Sequence, residues 1–346
     1  MTAIATAEGH STRAPLLAVR ALSVEFPGER GAVQPVVAVD LEVRRGEMVG
    51  LVGESGSGKT LTALAILGLV PAPGRCRGEI RFDGRDLLAG SPRAWRAVRG
   101  AGIGMVFQEP AAALNPVMTI GAQLGETLRL HRRCGRREAH REAVRLLERV
   151  AMPDPEAALR RYPHQLSGGQ RQRAMLALAL APQPRLLLAD EPTTALDVTL
   201  EAEILGLLDR LRAELGLAVV LITHDLAVVA ETCDRLSVMY SGAIVETGEV
   251  SAVFAAPAHP YTRGLLESLP RLGSPAARGA LPVIPGRVPS PADRPAGCPF
   301  HPRCPIVEDR CRDSSPPVVE VAAGHRGACW RAEEVFVGAP VGEEEA

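Results

Sequence analysis

The sequence predicts an α/β fold, a parallel sheet covered by helices, and two observations predict it. From residue 185 the chain alternates strand (RLLLAD), helix (LEAEILGLLDRLRAEL), strand (AVVLIT), helix and strand (RLSVMY), an order that lays helices over parallel strands. Upstream, the short apolar run of residues 48–52 passes through a glycine-rich turn into residues 60–69, which have helical composition. With 346 residues the chain can bury one large domain and an appendage.

The remaining elements follow in order. Residues 16–50 alternate in strand style (LAVRALSVEF, then VVAVDLEV) and end at the turn Arg45-Gly46-Glu47. Residues 78–107 read as short strands and turns, with Phe82-Asp83-Gly84 as a hairpin signal. Residues 119–182 are mostly helical, interrupted at Met152-Pro153-Asp154-Pro155 and at Tyr162-Pro163. Beyond about residue 270 proline and glycine rise (PVIPGRVPSPADRPAG), helical periodicity fades and four of the seven cysteines appear. A boundary is placed there, giving a main domain of 16–270 and an extension of 271–335. Residues 1–15 read as flexible and 336–346 as a disordered acidic end.

Composition narrows the function classes. A hydrophobic fraction of 46% and a charged fraction of 23% are ordinary for a folded soluble chain. The net charge of −1 supplies no basic field, which disfavours a dedicated nucleic-acid binder. No basic start followed by an apolar stretch opens the sequence, so no secretory signal is read. Apolar runs such as Leu217 to Thr223 are too short to cross a bilayer. The expectation is a cytosolic protein whose membrane business goes through partners.

Of the 39 basic residues only Lys59 is lysine. A general preference for arginine explains the others but not the survivor. Lysine is a compact point charge, whereas the guanidinium is bulkier and forked. A site that needs a lone ammonium among phosphate oxygens would not accept the substitute.

Lys59 lies in Gly53-Glu54-Ser55-Gly56-Ser57-Gly58-Lys59-Thr60, a full G-x-x-x-x-G-K-[ST] pattern after a strand and before a helix. Its glycines let backbone N–H groups converge on phosphate oxygens, and the helix start adds partial positive charge. Lys59 should reach the β- and γ-phosphates, and the Thr60 hydroxyl should ligate Mg²⁺. The motif occurs once, so there is one nucleotide cassette per chain. The apolar strand Leu186-Leu187-Leu188-Ala189 ends in Asp190-Glu191; Asp190 can serve the magnesium shell and Glu191 can polarise water. His224 ends another apolar strand, VVLITHD, and could touch the γ-phosphate. In Leu166-Ser167-Gly168-Gly169-Gln170, Ser167 resembles an N-cap and the glycines permit close backbone approach to an anion.

Together these residues resemble the ATP-binding cassette (ABC) transporter ATPases. The family's order is present over residues 16–270: phosphate loop, Gln108 in VFQEP, LSGGQ, Asp190-Glu191, ALD at 195–197, and His224. The resemblance implies the P-loop ABC fold, with an antiparallel subdomain and a helical subdomain at about 111–182. It also implies two cassettes paired head to tail, ATP lying between the Lys59 loop of one and Ser167, Gly168, Gly169 and Gln170 of the other. By the same resemblance Glu191 is the general base, His224 the switch, Gln108 a magnesium and coupling residue, and Asp197 an inter-subunit contact. An aromatic residue normally stacks on adenine; Phe26 is the candidate, and it is equally readable as core.

The tail narrows the subfamily. His259-Pro260-Tyr261-Thr262-Arg263-Gly264, Ile284-Pro285-Gly286-Arg287-Val288-Pro289 and Gly297-Cys298-Pro299-Phe300-His301-Pro302-Arg303-Cys304 resemble the oligopeptide and dipeptide (nickel) importer ATPases, as does Ala113-Leu114-Asn115-Pro116. That likeness implies two membrane permeases, an extracytoplasmic binding protein, a place on the inner face of the cell membrane, and a surface around Gln108 to Thr119 that receives a permease helix. Cys298, Cys304, Cys311 and Cys329 lack a tight zinc-type pair and suit a [4Fe–4S] cluster, with zinc or no metal as alternatives. His301 and His325 are possible substitute ligands; Cys76, Cys134 and Cys233 are scattered and read as inert. The rival function is a non-transport ABC ATPase acting on nucleic acid or ribosomes, disfavoured by the single cassette and by the shortness of the basic stretch His131 to Arg137.

Overall fold

A computed structural model describes residues 14–28, 31–194, 197–269 and 283–337. The chain opens with β1 (Leu17–Phe26) and β2 (Val33–Val43), then β3 (Met48–Val52) and α1 (Lys59–Ile66). Next come β4 (Arg75–Phe82), β5 (Arg85–Asp86), α2 (Pro92–Val98) and β6 (Ile103–Val106). Helices α3 (Pro110–Ala113), α4 (Ile120–Arg132), α5 (Arg136–Arg149), α6 (Pro155–Arg160) and α7 (Gly168–Leu180) follow without an intervening strand. The chain then alternates through β7 (Leu186–Asp190), α8 (Val198–Leu215), β8 (Ala218–Thr223), α9 (Leu226–Thr232) and β9 (Arg235–Tyr240). It closes with β10 (Ala243–Glu249), α10 (Val250–Ala255), α11 (Pro260–Glu267), α12 (Arg310–Asp313), β11 (Val319–Ala322), β12 (His325–Gly327) and α13 (Ala332–Val337).

The main sheet runs β11-β12-β10-β9-β3-β8-β7-β6, with β9, β3, β8, β7 and β6 parallel. Its central strands MVGLV, LLLAD and AVVLIT are buried at every position, as strands covered on both faces must be. Alternate residues face alternate cores. Leu186, Leu188, Val220 and Ile222 pack with Ala63 and Ile66 of α1 and with the antiparallel sheet. Leu187, Ala189, Val219 and Leu221 pack with α4, α5, α7 and α8.

The second sheet, β2-β1-β4-β5, is antiparallel. Asp83 and Gly84 both take positive φ between β4 and β5, the backbone of a tight two-residue hairpin turn, as Phe82-Asp83-Gly84 signals. The stretch 78–107, read as strands and turns, also contains helix α2. Ser91 at its N-cap and Pro92 at its first turn mark its start, and its Trp95 ring lies over Gly68.

Residues 283–337 do not keep a core of their own. Phe300, Cys298 and Cys311 bury into one cluster with Val229, Leu236, Tyr240 and Tyr261. The hairpin β11–β12 pairs with β10, Glu246 facing Gly327 and Thr247 facing Arg326, and lengthens the main sheet. His325 Nε2 lies 2.8 Å from Glu246 Oε1 with both side chains buried, while Glu246 accepts the Ala258 and His259 N–H groups at 2.6 and 2.9 Å. The expected boundary at 270 and the residues 338–346 of the acidic end lie outside the described residues; Phe336 and Val337, read as part of that end, close α13.

Candidate functional site: a nucleotide cleft at the strand ends

Parallel α/β sheets gather ligands where their strands end at the carboxyl side. Val52 pairs with Thr223 and Asp190 with Ile222, so β3, β8 and β7 deliver Gly53, His224 and Glu191 to one edge. β6 pairs Val106 with Ala189, which brings Gln108 beside Glu191. The resulting cleft, about 440 Å³, is lined among others by Gly53, Glu54, Ser55, Gln108, Glu191 and His224.

The phosphate loop is held tightly. A Cβ on Gly53 would stand 2.1 Å from the Met239 carbonyl oxygen, a contact no other residue survives, so glycine here is a steric requirement. Lys59 is 5% exposed, and its ammonium donates to the Gly53 and Glu54 carbonyls at 2.7 and 3.1 Å. Burial pushes it below the usual lysine range, against the pull of Glu191, Asp190 and Glu54. The Thr60 hydroxyl donates to Asp190 Oδ1 at 3.2 Å, placing a hydroxyl and a carboxylate where one hard cation could take both. Burial raises the Asp190 carboxyl, and the Thr60 hydrogen bond partly offsets this.

Glu191 is a node. Its carboxylate accepts from Gln108 Nε2 at 3.0 Å and from Thr194 Oγ1 at 2.8 Å, and lies 3.6 Å from His224 Nδ1. Its backbone is left-handed, φ 45, strain that side-chain residues adopt mainly where geometry is over-determined. The Glu191 N–H donates to the Ile222 carbonyl at 2.9 Å, and that bond fixes the turn.

Ser167 caps α7: its hydroxyl accepts from the Gln170 N–H at 3.3 Å, and the Gln170 amide oxygen returns a contact to the Ser167 N–H at 3.2 Å. Ser167 and Gly168 are exposed. Buried Gly169 takes Leu200 of α8 against it, a Cβ there meeting Leu200 Cδ2 at 2.6 Å. Asp197 caps α8 through the Leu200 N–H at 2.9 Å and is exposed; Ala195 and Leu196 lie outside the described residues. Among the described residues none of Ser167 to Gln170 lines the cleft. Phe26 ends β1 half-buried, with its ring against Gly74, and does not line the cleft either.

Three contacts escaped the sequence reading: Thr194 on Glu191, the Tyr261 hydroxyl accepting the Glu54 N–H at 3.0 Å, and Arg303 on the Glu54 carboxylate. Tyr261 and Arg303 stand in the tail segments that carried the importer resemblance, yet no local spacing ties them to the loop.

Cys298, Cys304, Cys311 and Cys329 line one small cavity with His259 and His301. Burial pushes the Cys298 and Cys329 thiols up to about 11 and raises Cys304, with neighbouring thiols adding to each. Among the described residues no group of three or more His, Cys, Asp or Glu side chains is placed to hold a metal, so the expected iron–sulfur site is not formed by these four cysteines as they stand. His325 is engaged by Glu246 and does not line this cavity. Cys233, far along the chain from these, is pushed up to about 12 by burial.

Comparison with known proteins identifies the family. Residues 36–194 match the ABC transporter family, and residues 245–311 match the oligopeptide/dipeptide transporter C-terminal region. The chain is 50% identical to the "Probable peptide ABC transporter ATP-binding protein y4tR" of Sinorhizobium fredii, covering 92% of this chain and 96% of that one. It is 47% identical to the dipeptide transport ATP-binding protein DppD of Escherichia coli, covering 91% and 96%. Among solved structures the dimeric bacterial ABC transporter cassette MJ0796 superposes with a TM-score of 0.61 at 28% identity, over 68% of this chain and 98% of that one; a post-hydrolysis dimer of the same cassette holds ADP and Pi. The chain therefore belongs to the oligopeptide/dipeptide family of ABC transporter ATP-binding subunits, which are ATPases.

Proposed function

We propose that this ATPase subunit energises the import of dipeptides, oligopeptides or similar small solutes, working as one of two paired cassettes on the inner face of the cell membrane beneath two permeases. An extracytoplasmic binding protein would present the solute, which never meets this chain. The observation that carries the reading is the incompleteness of the cleft. Gln108, Glu191 and His224 line it, Lys59 bonds the lining residues Gly53 and Glu54, and Thr60 and Asp190 pair beside Glu191, while Ser167 to Gln170 and the exposed Asp197 do not line it. A second cassette supplying its own Ser167, Gly168, Gly169 and Gln170 would complete the site, with a positive helix end aimed at phosphate.

Within that site Thr60, Gln108 and Asp190 would hold Mg²⁺, whose charge offsets that of the phosphates. Glu191 accepts a proton from water as general base, and His224 beside it responds to the γ-phosphate. Phe26 remains the adenine-stacking candidate, although its ring is spent on Gly74. A groove along α4 to α6, lined by Met118, Thr119, Ala122 and Leu159 and edged by Glu126 and Arg129 among other charged groups, includes the end of the segment Gln108 to Thr119 and is the proposed seat of a permease helix. Among the described residues no helix is long and apolar enough to cross a membrane, so membrane attachment falls to such partners. Both matched regions are transporter regions, which favours transport over action on nucleic acid.

The four cysteines would hold a [4Fe–4S] cluster. Four thiols round one cavity are the donor type that such a cluster takes, although among the described residues they are not grouped to hold a metal. The space between them is about 10 Å³, roughly one water, so a cluster would seat with the loops spread. Its contribution is structural, a cross-link of proline-stiffened loops. Oxygen-free purification checks this: colourless protein without iron or labile sulfide rules it out. The transport reading is checked by affinity purification of the full chain from its native membranes. Two multi-span permeases should accompany it; ribosomes or DNA in their place would overturn the reading.

A further inference from the structure

Glu54 is an anomaly: a carboxylate inside a loop built to receive triphosphate. It lines the nucleotide cleft and is close enough to Lys59 to act on its charge. An uncompensated carboxylate there would repel the ligand. The compensation arrives from the far end of the chain. Arg303 Nη1 and Nη2 donate to Glu54 Oε1 and Oε2 at 2.8 and 3.3 Å, a forked pairing that fixes both distance and plane.

Arg303 is itself anchored. Its side chain is 6% exposed, Nε donates to the Pro285 carbonyl at 2.8 Å, and Nη2 reaches the Ile284 carbonyl at 3.3 Å. The guanidinium lies 5.7 Å from the centre of the Tyr240 ring, within cation–π range. On the other side of Glu54, its N–H is taken by Tyr261. The first turn of the phosphate loop is thus held from two points outside the loop, both in the C-terminal part of the chain.

We propose that Arg303 is a positioning residue for ATP: it neutralises Glu54 and holds its carboxylate away from the phosphates, so that the C-terminal extension sets the affinity of the nucleotide site. The proposal rests on the phosphate-site assignment, and the test separates the two. ATP binding to the full chain is measured by calorimetry, and KM and kcat for ATP in the assembled transporter. Arg303→Ala should weaken ATP binding and raise KM about tenfold, with kcat changed less than about twofold and thermal stability followed in parallel. Glu54→Gln alone is measured as the reference against which the double variant is judged, its amide oxygen still able to accept from Arg303. Glu54→Gln placed in the Arg303→Ala background should recover most of the lost affinity, since the unbalanced charge is gone; a packing defect would not be rescued that way. If Arg303→Ala does not fold, Arg303→Gln takes its place with the same reading. An unchanged KM in the Arg303 variant, or a double variant no better than the single, overturns the proposal. Lys59→Ala is the control: wild-type ATP binding by it would remove the phosphate-site assignment, and this inference with it.

Discussion

Gln108 donates to the Glu191 carboxylate over 3.0 Å although 83 residues separate them. The bond joins the segment leading into the helical region to the residue proposed as general base. With Glu191 as the proposed base, displacement of the Gln108 segment would strip its carboxylate of one of two hydrogen bonds, the other coming from Thr194.

Glu191→Gln keeps that geometry and removes the basicity. We expect ATP binding to persist, turnover to fall by about 10²- to 10⁴-fold, and a closed dimer to accumulate with ATP. Steady-state hydrolysis together with size-exclusion chromatography in ATP checks it; normal turnover would exclude Glu191 as base.

Gly53→Ala places a methyl 2.1 Å from the Met239 carbonyl oxygen. Backbone cannot yield as a side-chain tip does, so the loop must shift, at a cost of about 1–3 kcal/mol. Nucleotide binding should be lost while circular dichroism stays native. Retained ATP affinity would show that the loop tolerates the shift.

Lys59→Arg preserves charge but must fit a fork where one ammonium bonds two carbonyls in a buried pocket. KM for ATP in the assembled transporter should rise at least about tenfold, the loss of one charge-assisted bond. Wild-type turnover at low ATP would defeat the steric argument.

Burial lowers His259 from 6.5 to about 3, and its Nδ1 accepts the Tyr261 N–H at 3.0 Å at the start of α11. The unfolded chain binds a proton between those values and the native chain does not. Stability from this group is therefore complete above pH 6.5 and falls as pH drops toward 3, by at most about 1.4 kcal/mol per unit. His259→Asn can keep the cap without the titration. Its melting temperature should fall less steeply from pH 7 to 5 than that of the wild type, and equal slopes would contradict the assignment.

Much of this arrangement was legible because the chemistry is local. The phosphate loop, the Asp190-Glu191 strand end and the Ser167 cap each lie within eight residues or fewer, and continuous apolar strands announced a sheet covered on both faces. What escaped was non-local or short. Glu54 and Arg303 are 249 residues apart, and nothing in either neighbourhood encodes the other. β12 spans three residues, too few for any alternation, and exists because β10 offers it an edge. Helix α2 is seven residues long and rests on Trp95 more than on periodicity. The extension read as an appendage because its composition changes, while its apolar groups, few as they are, bury only by joining the cluster round Tyr240 and Tyr261.

Lys59 is the chain's one side-chain amine, and it is folded back onto its own loop. An acylating reagent offered to the folded protein finds, apart from the chain terminus, a single target that it can reach only when the loop lets go. The rate of modification at Lys59 therefore reads loop opening directly, and protection by nucleotide reads occupancy, with no engineered label and no competing lysine.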